Sequence, residues 1–181
     1  MASRGQTDFD VPARDLVETP ERKDLRPDHD IRRNCLTSIY WVPTKESPKL
    51  PLIVNKSDHV HYYQGGKPFE YMLYDPDERE FDIQILGPDL AHGHNMQIPV
   101  KGGVWKCGKI LGEALPEIEA DYCIVAEAVA PGFDFHDFAP IKEEQLKELT
   151  PEQRELVLPH LARQANLSEQ EKNQDFDKHY D

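Results

Sequence analysis

SDHVHYYQGGKPFEYMLYDPDEREFDIQIL, residues 57–86, decides the fold. HVHYY, FEYMLY and FDIQIL are short apolar or alternating runs of β-forming residues, and QGGKP and DPDERE between them are turn signals. The same grammar extends outward on both sides. CLTSIYWV (35–42) and PLIVN (51–55) come before; MQIPV (96–100), VWKCGKI (104–110) and DYCIVAEAVA (121–130) come after. PTKESP, GPDLAHGHN and KGG punctuate them. Strands at this spacing, with no helical period between them, predict an all-β antiparallel sandwich or barrel. DYCIVAEAVA is almost unbroken apolar sequence, which predicts a strand buried on both faces.

The flanks read differently. Residues 1–34 lack hydrophobic periodicity and are rich in Asp, Glu, Arg and Pro, as an extended arm would be. Residues 35–140 form the β domain. From 141 to 181 the period becomes helical, giving a C-terminal helical extension and tail. IKEEQLKEL is a short amphipathic segment, and Thr150-Pro151-Glu152-Gln153 is a helix start with Thr as N-cap, Pro at N1 and Gln at N3. Pro159 should stop or kink that helix. Ser168-Glu169-Gln170-Glu171 offers a second capping box.

The chain has 181 residues, enough for one domain with its own core. With 34 acidic and 21 basic residues it carries a formal charge of −13. That balance argues against nucleic acid, whose binding needs Lys and Arg to displace counterions, and against anionic membrane surfaces. Cys35, Cys107 and Cys123 form no CxxC pair, which argues against a zinc knuckle or a thioredoxin-type site. The N-terminus has no apolar leader, and no run reaches the length of a membrane span. A cytoplasmic protein with reduced thiols is the expectation.

The strand set resembles a cupin, a double-stranded β-helix or jelly roll. Ser57–Asp77 is similar to the family run Ser-Asp-Glu-Ile-Trp-His followed by Gly-Asp-Pro. VAPGFDFHDF, residues 129–138, closely resembles the closing motif of the cupin 5 group, small cupins shaped like the deoxysugar 3,5-epimerases. The resemblance covers about residues 35–140 and implies a jelly roll that closes on PGFDFHDF. It also implies metal positions that this chain does not keep. His59 stands where cupins have a Glu separated by six residues from a Gly, here Gly66. The upstream His falls near Ile53, and the motif-2 His is Lys106, a poor ligand while protonated. Gln97 matches a Gln common in the group.

Two constellations could carry chemistry. His59, His61 and Tyr63 share one face of a strand, which the resemblance points into the barrel. Two imidazoles there could act as general acid and base, or could be core histidines bonded to Tyr hydroxyls. Glu127 interrupts CIVAEAVA, where an unpaired charge would be costly. It could face inward as acid, base or ligand, or face outward or pair with a Lys or Arg; strand parity leaves both open. Lys106, inward by resemblance, could stabilise an oxyanion, form a Schiff base, or pair with Glu127. Tyr40, Tyr63, Tyr71 and Gln97 are the candidate ligand-binding walls. His92 and His94 sit in a turn-rich loop and read as solvated, while PGFDFHDF reads as structural closure.

Three functions fit these residues. The first is a metal-independent enzyme that moves protons on a small organic molecule, as an isomerase, epimerase, cyclase or dehydratase would, with His59, His61, Lys106 and Glu127 catalytic and no cofactor. The second is a metal-dependent cupin such as a dioxygenase, with His59, His61 and Glu127 or Gln97 as ligands. The third is a non-catalytic binding cupin. A homodimer is expected in each case, with no nucleic-acid or membrane partner.

Overall fold

The computed structural model describes residues 34–112 and 120–161. The arm at 1–33 and the Ser168 capping box lie outside them. Among the described residues ten strands form two sheets: β1 (Thr37–Trp41), β2 (Lys49–Asn55), β3 (Asp58–Gly66), β4 (Phe69–Asp75), β5 (Glu80–Leu86), β6 (His94–Asn95), β7 (Gln97–Val100), β8 (Trp105–Ile110), β9 (Cys123–Ala130) and β10 (Phe138–Pro140). One sheet has the order β1-β9-β3-β7, the other β10-β2-β8-β4-β5-β6. Every pair except the short β5–β6 pair is antiparallel. The antiparallel sandwich or barrel expected from the strand grammar is observed, in the jelly-roll form that the cupin resemblance implied.

Period-2 alternation builds two apolar cores. Phe69, Tyr71 and Leu73 of β4 face the other sheet and meet Ile98, Val100, Cys123 and Val125 in the barrel interior. The alternate residues Met72 and Tyr74 point out of the barrel, with Trp105 and Cys107 of β8 and Leu52 of β2. Ile141, Leu146, Leu149 and Val157 of the C-terminal segment cover them. Tyr74 and Trp105 meet edge-on there, with centroids 5.2 Å apart. The extension is therefore a lid on the outer face of the six-stranded sheet.

This corrects the expectation for DYCIVAEAVA. In β9, Cys123, Val125 and Val129 are buried, whereas Ile124, Ala126 and Ala128 are only partly so. The strands buried on both faces are β4 and β8, because among the described residues their sheet is the one that carries a cover.

The helix start holds as expected. Helix α1 (Pro151–Val157) is capped by Thr150, whose side chain accepts from the Gln153 amide while the Gln153 side chain accepts from the Thr150 amide. Pro159 falls in a 3-10 turn that ends the helix, and His160 in that turn hydrogen-bonds the Leu50 carbonyl of β2 at 3.0 Å. The closing motif also serves structure. The Phe133 amide donates to Thr37 Oγ1 and the Lys56 amide to the Asp137 carbonyl, which ties the loop before β10 to β1 and to the β2–β3 turn.

Candidate functional site

β3 and β9 are neighbours in register, with His59 opposite Val129 and His61 opposite Glu127. In an antiparallel pair such partners share a face. β8 lies in the other sheet, where Lys106 pairs with Leu73 of β4 and Ile53 of β2. Its side chain crosses the barrel interior. Lys106 Nζ donates to Glu127 Oε1 at 2.9 Å and lies 3.1 Å from His61 Nε2. His61 Nε2 is 3.9 Å from the same carboxylate oxygen. His61 stacks on Tyr71 at 4.7 Å and meets His59 edge-on at 5.2 Å. His59, His61, Tyr71 and Lys106 are buried, and the Glu127 side chain is 13% exposed.

The hydrogen bonds fix the proton positions. His59 Nδ1 lies 2.9 Å from the Ser57 carbonyl, which can only accept, so this nitrogen carries the hydrogen and Nε2 keeps a lone pair. Lys106 is the donor toward His61 Nε2, which puts the His61 hydrogen on Nδ1. His59 Nε2, His61 Nδ1 and the Tyr71 hydroxyl are buried with no protein partner among the described residues.

Burial and Lys106 lower His59 from 6.5 to about 4 and take His61 well below its ordinary range. Both imidazoles are therefore neutral at pH 7. Burial pushes Glu127 up, but Lys106 and the imidazoles outweigh it and hold the carboxyl at about 2. At pH 7, where the imidazoles are neutral, Lys106 is the cation that pairs with it. Burial lowers Lys106 in turn, and Glu127 opposes that shift. Burial and Glu127 raise Tyr71 well above its ordinary value, so its hydroxyl stays a donor.

Of the sequence candidates, His59, His61, Lys106, Glu127 and Tyr71 come together. Tyr63 shares the face of His61 but lies toward the far end of β3, where its hydroxyl donates to the Gly66 carbonyl. Tyr40 and Gln97 do not join. Tyr40 pairs with Ala126, one residue out of phase with Glu127, and is 58% exposed on the outer face. Gln97 pairs with Tyr62 and is exposed, because Ile98 takes the inward place opposite His61. The metal set containing Gln97 is thereby excluded on geometry. Sequence reading missed Ser57, whose carbonyl orients His59; its signal was the Asn55 side chain, which accepts from the Ser57 amide and shapes the turn before β3. It also misjudged His94. His92 is exposed as expected, but His94 is buried and its Nδ1 accepts from the Asp89 amide. Cys107 and Cys123 are buried thiols pushed up to about 12, consistent with core duty.

Cupins commonly hold a divalent metal, and His59, His61 and Glu127 each offer a ligand atom within 4.8 Å of the others. The full donor set nevertheless fits a metal poorly. The Lys106 ammonium stands at hydrogen-bond distance from two of these atoms, on His61 and Glu127, and Ile53 occupies the neighbouring register position without a ligand atom.

Two sheets enclosing an inward polar cluster, with the PGFDFHDF closure, define a small jelly roll of the cupin kind. The family model described as "Cupin superfamily (DUF985)" matches residues 9–141, and the chain belongs to that family, the cupin 5 group. It is 34% identical over 134 residues to the uncharacterized protein YML079W of Saccharomyces cerevisiae, a match covering 73% of this chain and 64% of the yeast protein. The chain thus spans less than two thirds of that relative. A hypothetical protein from Leishmania major superposes with a TM-score of 0.65 and 28% identity over 84% of this chain and 85% of that one. Protein SO0799 from Shewanella oneidensis gives 0.62 and 25% over 74% and 78%. No helix among the described residues is long and apolar enough to cross a membrane.

Proposed function

We propose that the cluster is an acid–base site for a small organic molecule, of the isomerase, epimerase, cyclase or dehydratase type, worked by the chain's own groups. The observation that carries this reading is the unpartnered lone pair of buried His59 Nε2. An inert core satisfies its polar atoms, and an unsatisfied one costs about 1–3 kcal/mol. Here three such atoms belong to residues beside a buried ammonium.

The roles follow from the proton positions. His59 Nε2, an acceptor at neutral pH, takes the substrate proton. The Lys106 ammonium uses two hydrogens on Glu127 and His61 and has a third for an oxygen on which charge develops. The Tyr71 hydroxyl is a second donor, and Glu127 holds Lys106 charged.

The test starts from a thermal-shift screen of small oxo- and hydroxy-carboxylates and sugars, followed by proton NMR of the stabilising compounds in D2O. One or more should exchange a C–H for C–D in the presence of the protein. Exchange should fall by about 100-fold or more in folded His59→Gln and Lys106→Met, the range general acid–base catalysis supplies. Ligands that bind without any exchange would make the protein a binding module instead.

A further inference from the structure

Lys106 reaches His61 and Glu127, two of the three candidate ligands, from the opposite sheet. Its 2.9 Å and 3.1 Å contacts are ammonium hydrogen-bond lengths. A zinc-like cation would need donors at about 2.0–2.2 Å. The lysine is buried, so its charge requires an anion, and Glu127 supplies it. His61 Nε2 presents to Lys106 the lone pair that it would present to a metal. One atom of the chain thus occupies the position that two of the three ligands address.

We propose that the Lys106 ammonium is a tethered cation standing in for a divalent metal, so that the wild-type site excludes such metals and removal of the ammonium opens one. The inference rests on geometry and is independent of the acid–base reading: a catalytically inert cluster of the same shape would exclude metal equally.

Cobalt(II) is a suitable probe, because its visible d–d absorption reports inner-sphere nitrogen and oxygen ligands. Full-length, untagged protein is titrated by equilibrium dialysis and absorption spectroscopy at pH 7.5. Wild type should bind cobalt only substoichiometrically, with no band that depends on His61. Lys106→His, which supplies a ligand, and Lys106→Met, which keeps the volume, should each bind one equivalent. Their affinity should exceed wild type by about 100-fold or more, given a nitrogen and carboxylate donor set. Adding His61→Ala to either variant should abolish the band. The proposal is overturned if wild type takes up one equivalent with a band lost in His61→Ala. It is equally overturned if either variant keeps the wild-type circular dichroism and binds cobalt no better. Should both variants fail to fold, the wild-type titration decides alone: stoichiometric, His61-dependent cobalt overturns the proposal, and exclusion upholds it.

Discussion

At the residue scale, His59 couples fold stability to pH. Its folded value lies near 4 against 6.5 unperturbed. Between these values the unfolded chain binds the proton and the folded chain does not, so stability rises with pH across this window and is lost as pH falls from about 6.5 toward 4. At about 1.4 kcal/mol per pH unit, the loss is about 3 kcal/mol. Glu127, lowered from 4.5 to about 2, acts in the same direction further down, losing its contribution as pH falls below 4.5. Thermal unfolding followed from pH 7 to pH 4 should show a falling midpoint, and His59→Gln should flatten the upper part of that slope. An unchanged slope would mean that His59 titrates normally. The histidine pair was legible in the sequence because strand parity and the resemblance agreed on one inward face. The side of Glu127 was not legible, since every neighbour in IVAEAVA is apolar and neither face declares itself. Tyr40 misled for a related reason: an aromatic in a strand reads as core or pocket, and only the register with Ala126 sends it outward.

At the element scale, the 141–161 segment is part of the core of the molecule. Its turn signals were readable because a capping box and an N1 proline are local chemistry. Its destination was not, because docking on a sheet is a long-range contact that leaves no local mark. Leu146 is 1% exposed and packs in the cluster with Met72, Tyr74 and Trp105. Leu146→Ala should therefore lower the unfolding free energy by about 2–5 kcal/mol, as for other buried Leu truncations. Thr150→Ala, which removes the acceptor for the Gln153 amide, should cost about 1 kcal/mol. Denaturant unfolding would measure both. Near-equal small effects would show that the segment docks only weakly. The position of this cover also accounts for β4 rather than β9 being the doubly buried strand.

At the scale of the whole molecule the two sheets are unequal. The six-stranded sheet has its own cover, but among the described residues no core cluster forms on the outer face of the four-stranded one. Register places Ser38, Ala128, Val60 and Pro99 in one row across that face, and Tyr40, Ala126, Tyr62 and Gln97 in the next. The rows carry no charged side chain in a protein with a net charge of −13, and Tyr40 is 58% exposed at their edge strand. A contiguous uncharged sheet face of this kind favours association. A second copy of the chain suits it because a two-fold axis brings the same rows together without opposing like charges. Sedimentation at micromolar concentration should give twice the 20.9 kDa chain mass for wild type. Tyr40→Asp, which would bury a carboxylate from each copy in the contact, should sediment as the single chain with its circular dichroism unchanged. Wild type at the single-chain mass would refute the dimer and leave the face to a different occupant.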